Sequence, residues 1–492
     1  MKITHYNTIP KFISFYINLN KKEEKEFTKL ALCGYFSPKR SYKNILTELK
    51  RIKSGSGRVS SNLTVDLKKN TKMNKRALWN RLSELNGIAE KFLIIKNTEK
   101  DPLLAKSLLM EELSLRKDTK ALQLHENPVK KMLAASMQDI DSLYRRHRLL
   151  QQLGELHTEL DNYSIAAEYY LAQSDVSTIH YLTGSFKNLL DMELQKRNNM
   201  LQGYSLAHEL LNSGKLDGLI DKIISGFPEY TAPLEIYYHL YNAFKNPHNE
   251  KHYLFAKNVF LKRSGVFSKE FRNEIFQYLR NFCIEKTNLG NSEFYNEIFE
   301  LNELILEQGL YSGLSSMNSR TNHFRNFIFA ASRLNKYEWI KEFIKKYSTE
   351  IPPDTREDEV NLSMAILNVY EKKFDAALEY LYRIKRKNYL HYLDTSVYKL
   401  IVFYEIAEYE ESRMEMARLK DYLRQHKEIP SYFKNSYQRF LTKFALLLKL
   451  SENPEPLELG MFLNEMEKLK YIGLGGWLYE KGTELFYNPA RK

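Results

Sequence analysis

Cysteine is nearly absent. The 492 residues hold two, Cys33 and Cys283, and neither belongs to a CxxC. That excludes a disulfide framework and points to a reducing compartment. Glycine (19) and proline (13) are scarce for the length. A many-turned β protein needs more such punctuators, so long helices are favoured. No apolar run has the length needed to cross a bilayer. The one short apolar run near the start, Phe12 to Leu19, lacks a small-residue cleavage site and leads into KKEEKE. It reads as a helix rather than a signal peptide, and the expected location is the cytoplasm.

What is present agrees with this. A hydrophobic fraction of 43% supplies a core, and 27% charged residues argue against wholesale disorder. The 34 tyrosines and 27 phenylalanines suit thin stacked helices, because tyrosine packs its ring while its hydroxyl reaches water. Charge is uneven. Residues 1–100 carry 22 basic and 8 acidic residues, and the remainder carries 52 and 53. All of the net charge of +13 therefore belongs to the first fifth of the chain.

The segment LLQQLGELHTELDNYSIAAEYY, residues 149–170, reads as a helical hairpin of the tetratricopeptide (TPR) type. Leu153-Gly154 allows a second helix to approach, Asp161-Asn162-Tyr163 turns the chain, and Ala166 is the small contact on the return helix. One such unit cannot bury its apolar face alone, so it must recur and stack. Three later turns align, around Tyr337, Phe374 and Tyr409, at spacings that bracket a TPR period. Helices are also expected over 233–244, 251–262, 269–286 and 293–308. A last pair from residue 454 is split by GLGG at 473–476 and caps the array. The expected architecture is an all-α, TPR-like superhelix of helical hairpins over residues 131–492, preceded by a basic helical region over 1–130. Within that region KSGSGRVSSNLTVDLKKNTKMNK, residues 53–75, is expected to be a long loop, with a helix resuming at Lys72.

The segments FYINLNKKEEKEFTKLALCGYFSPKR, NFCIEKTNLGNSEFYNEIFELNELILEQG and NHFRNFIFAASRLNKYEWIKEFIKKY resemble a group of large, all-helical, TPR-like bacterial proteins of uncharacterised function. The resemblance covers most of residues 10–450. It implies a helical repeat fold and carries no catalytic residues to transfer.

Motifs for chemistry are weak. HNEKH at 248–252 lacks the spacing of a zinc protease, and GLGG has neither a preceding strand nor a following Lys-Ser/Thr. The expectation is a non-enzymatic protein without metal or cofactor. Two surfaces stand out. On the helix from Lys72, an inward row of Leu78, Leu82 and Leu85 leaves Lys72, Arg76, Trp79 and Asn80 on the outer side, beside Lys68 and Lys69. Basic groups neutralise phosphates, Asn pairs with base edges and Trp stacks. Against a helix-turn-helix stands the separation of about twenty residues from the helix before. Counting back from the repeat turns puts Asn322, Arg325, Asn326, Asp394 and Tyr398 on the concave face, where they would hold a peptide backbone or terminal carboxylate. The first expectation is a scaffold that binds a protein or peptide there. The alternative is a nucleic-acid-associated regulator acting through residues 43–81.

Overall fold

In the computed structural model all regular structure among the described residues is helical. Those residues are 10–36, 41–54, 63–135, 138–197, 203, 205–213, 217–311, 317–385, 389–470 and 474–487. The first helices are α1 (Lys11–Asn18), α2 (Lys21–Ala31), α3 (Lys43–Lys53), α4 (Leu63–Thr71), α5 (Lys75–Lys100), α6 (Pro102–Leu115) and α7 (Thr119–Ala135). Then come α8 (Ile140–Glu159), α9 (Tyr163–Arg197), α10 (Leu206–Ser213) and α11 (Asp217–Gly226). The hairpins that follow are α12 (Ala232–Lys245) with α13 (Lys251–Lys262), α14 (Lys269–Asn288) with α15 (Phe294–Glu307), and α16 (Met317–Arg333) with α17 (Tyr337–Tyr347). The last are α18 (Arg356–Tyr370) with α19 (Phe374–Arg383), α20 (Tyr389–Glu405) with α21 (Tyr409–Gln425), then α22 (Ser431–Glu452), α23 (Pro456–Glu467) and α24 (Gly475–Tyr487).

The turns explain the aligned aromatics. Asp161, Asn335, Lys372 and Ala407 all adopt the left-handed conformation, with φ between 55° and 61°. In each turn the next N–H donates five residues back: Asn162 to His157, Lys336 to Ala331, Lys373 to Asn368 and Glu408 to Phe403, at 2.8 to 3.0 Å. This is a Schellman ending, which satisfies carbonyls that the helix leaves open. The return helix then starts two residues after the left-handed one, at Tyr163, Tyr337, Phe374 and Tyr409. Tyr163 and Tyr337 each donate a hydroxyl back to the side chain of that left-handed residue, Asp161 at 2.9 Å and Asn335 at 2.8 Å.

The chain forms two compact units, residues 1–135 with 148–171, and residues 136–147 with 172–492. In the first, one core joins Phe12, Phe27, Leu49, Leu67, Leu82 and Phe92. Phe27 sits 5.6 Å from Phe12 and 5.5 Å from Phe92, ring centre to ring centre. Gly154 works as the sequence suggests: a Cβ there would lie 2.8 Å from the Tyr170 ring. Glu126 of α7 accepts from His157 and Tyr169 of this hairpin, at 3.1 and 3.0 Å. Such ties group residues 148–171 with the first unit, whereas the sequence assigns them to the repeat body.

In the second unit each hairpin packs its two helices together, and first helices touch successive first helices, α12 with α14, α16 with α18 and α18 with α20. The closing helix α24 packs on α22 and α23. Its Trp477 donates to Glu405 at 2.7 Å and stacks on Phe444.

Candidate functional site

Residues 63–71 form α4, where the sequence suggests only loop. LTVDLKKNT is rich in β-branched residues and has little helical periodicity, so local propensity is low. Fully buried Leu67 secures it to the N-terminal core, and Asn70 donates to Glu48 of α3 at 2.6 Å. Tertiary packing thereby overrides propensity. Residues 55–62 of the expected loop lie outside the described residues.

The consequence is geometric. Only Lys72, Met73 and Asn74 separate α4 from α5. A connection of three residues has the length that a helix-turn-helix uses, and α4 occupies part of the twenty-residue gap expected from sequence. Lys72 supplies the left-handed residue, with φ 53°, a place often taken by glycine. Asn74 caps α5 by accepting from the Ala77 N–H at 2.8 Å. The sequence starts this helix at Lys72, but the cap fixes its start at Lys75.

With Leu78, Leu82 and Leu85 buried, Lys68, Lys69, Lys72, Lys75, Arg76, Trp79 and Asn80 are all exposed. Trp79 is 44% exposed. Lys75 joins the face because the cap places it in the first turn. None of these five cations has an ion pair among the described residues, and residues 67–83 contain no acidic residue. Nearby carboxylates are occupied. Glu48 takes Arg51 and Asn70, and the Arg51 hydrogen bond holds its carboxyl below the ordinary value. Glu84 accepts from Tyr42 at 2.9 Å. Arg81 turns away, donating to the Ser41 carbonyl at 2.7 Å.

The residues assigned to the concave face behave differently. Arg325 of α16 is 5% exposed. Its Nε donates to both Glu359 oxygens, at 2.6 and 2.8 Å, and its Nη1 to Asp394 at 2.8 Å. Glu359 also pairs with His391, and Tyr437 donates to Asp394 at 2.6 Å. Burial pushes Glu359 up, but hydrogen bonds from His391 and Arg325 outweigh it and the carboxyl titrates below its ordinary value. Burial raises Asp394 against the pull of Arg325. Tyr398 is 4% exposed, and burial raises its hydroxyl well above the ordinary value.

Arg325 and Tyr398 are therefore interior residues, and half-buried Asp394 is taken up by Arg325 and Tyr437, so the three are not an open peptide-binding surface. The turn count gives the correct face of each first helix. The first helices α16, α18, α20 and α22 then approach so closely that their polar side chains satisfy one another. Asn326 is exposed, and the side chain of Asn322 lies outside the described residues.

The remaining motifs resolve simply. His248 is exposed, while His252 meets His239 with 2.8 Å between Nδ1 atoms, so the two histidines of HNEKH do not converge. Among the described residues no group of three or more His, Cys, Asp or Glu is placed to hold a metal. Cys283 is buried 3.3 Å from the Tyr253 hydroxyl, and burial pushes its thiol up to about 12, the reverse of a reactive thiolate. In GLGG, Gly475 opens α24 against the Leu469 carbonyl. Among the described residues no helix is long and apolar enough to cross a membrane. Comparison with protein families, curated proteins and solved structures gives no match.

Proposed function

We propose that the protein is a non-enzymatic, nucleic-acid-associated cytoplasmic protein whose α4–turn–α5 element grips the phosphate backbone. The three-residue turn carries the reading. Around it stand five exposed cations with no ion pair among the described residues, an exposed indole and an exposed Asn, and residues 67–83 hold no acidic residue. Cations neutralise phosphate, the indole offers a stacking plane, and Asn80 offers an amide to base edges. The hairpin array is the body that carries this element. Its recurring turns support TPR-like stacking, from which a superhelix and a protein-binding role follow. The concave-face version of that role keeps only Asn326 as an exposed candidate among the side chains described.

The test is fluorescence anisotropy of the full chain with a labelled duplex. Five phosphate contacts give a log–log salt slope of about −4 to −5, so affinity falls a few hundredfold between roughly 50 and 200 mM salt. Replacing Lys68, Lys69, Lys72 and Arg76 together by Ala abolishes binding. No binding of DNA or RNA at the lowest salt overturns the reading.

A further inference from the structure

Three strongly buried cations in the repeat body have carboxylates beside them. Arg325 has Glu359 and Asp394, Lys286 has Glu250 at 2.8 Å, and Lys481 has Glu484 at 2.9 Å and Glu405 at 3.1 Å. This is the general rule, since an unpaired buried charge costs several kcal/mol.

Arg280, on the first helix α14, breaks the rule. It is 4% exposed, and among the described residues no carboxylate lies within ion-pair distance. Its Nη1 contacts His323 Nδ1 at 3.2 Å, and its guanidinium lies 5.0 Å from the Phe327 ring centre. Its Nε is buried without a partner. Burial lowers the guanidinium to about 10, so it stays charged at neutral pH. Burial and Arg280 together press His323 down to about 4, which makes it a neutral acceptor and not a second charge.

With Gln277, Asn281, Ile284, His323 and Asn326, Arg280 lines a crevice of about 40 Å³ between α14 and α16. Gln277, Asn281 and Asn326 are exposed at the rim, and each has an amide N–H₂ to donate.

We propose that this crevice is a binding site for a small carboxylate monoanion, with Arg280 as its buried counter-charge and the rim amides as further donors. One positive charge among the described lining residues matches one negative charge. A phosphate dianion would bury an uncancelled charge, while the guanidinium fork fits a carboxylate in planar geometry. This site is independent of the basic N-terminal face.

The test is calorimetric titration of the full chain with sodium acetate at neutral pH and constant ionic strength, beside thermal unfolding in acetate and in chloride. Saturable acetate binding is expected, with a rise in Tm that chloride does not give. Arg280→Met removes both effects and melts no lower than the wild type in chloride, because it deletes an uncompensated charge. Arg280→Lys keeps the charge but loses the fork, and weakens acetate roughly tenfold or more. N-acetyl-Ala-Ala with a free and with an amidated terminus separates the sources of the carboxylate. Tighter binding of the free acid than of acetate assigns a peptide terminus, and equal binding assigns a free small acid. Failure of wild-type protein to bind acetate, or an acetate effect that survives in Arg280→Met, overturns the proposal.

Discussion

Arg325 and Glu359 stand 34 residues apart on successive first helices and meet through a doubly hydrogen-bonded, buried ion pair. Asp394, from the next first helix again, takes the remaining side of the guanidinium. Removing one member strands the others. Arg325→Ala is expected to cost about 3 to 5 kcal/mol, because two carboxylates lose the guanidinium that lies between them. The midpoint of urea unfolding reads this, and a loss below roughly 1 kcal/mol would show that the cluster is hydrated.

The histidines predict a pH dependence. Burial, helped by His252, holds His239 down to about 4, and burial with Arg280 does the same to His323. In the unfolded chain each takes its proton near the ordinary value. Between about 6.5 and 4 the unfolded state thus binds more protons, and stability falls as pH falls through that window. For the partly hydrated His239 the effect is on the order of 1 to 2 kcal/mol. Replacing His239 with Phe is expected to flatten the slope of Tm against pH in that range. An unchanged slope would assign it elsewhere.

Ala407 sits at φ 61° in the turn before α21. A side chain pays about 1 kcal/mol for this conformation and glycine pays almost nothing. Ala407→Gly is therefore expected to stabilise by about 0.5 to 1 kcal/mol in denaturant unfolding, although glycine substitutions in helices do the opposite.

Gly475 opens α24 where a Cβ would lie 2.1 Å from the Leu469 carbonyl oxygen. That oxygen is backbone and cannot swing away. Gly475→Ala should lift α24 from α22 and α23 and cost about 2 kcal/mol or more, read as faster proteolysis of the last thirty residues or so. Protease resistance equal to the wild type would mean the turn has room to adjust.

On the basic face the two kinds of side chain separate by salt response. Each Lys→Ala at 68, 69 or 72 should lower the log–log salt slope by about 1. Trp79→Ala should weaken binding by about 1 to 3 kcal/mol and leave the slope unchanged. If Trp79→Ala changes nothing, the indole is a bystander.

Much of the fold was legible because it rests on local, periodic signals. The hairpin at 149–170, the turn aromatics Tyr337, Phe374 and Tyr409, and the helices at 251–262 and 269–286 follow from apolar spacing and small residues near turns. The failures share a different cause. α4 was hidden because long-range contacts, among them those of Leu67 and Asn70, hold a sequence of poor helical propensity, and no periodicity announces them. The Arg280 crevice gave no signal at all, since nothing in sequence reveals that a buried arginine lacks an acid 40 or 80 residues away.

The sequence by itself determined that this chain is all-helical, that its turns recur, and that its positive charge gathers in the first hundred residues. These follow from residue order over one or two helical turns. Only the tertiary structure decided that α4 lies three residues from α5, that Arg325 meets Asp394, and that Tyr398 is buried. It alone decided that Arg280 is buried without a carboxylate among the described residues. Each depends on which helices come within a few ångströms of each other, and that distance is set by packing summed over the whole unit.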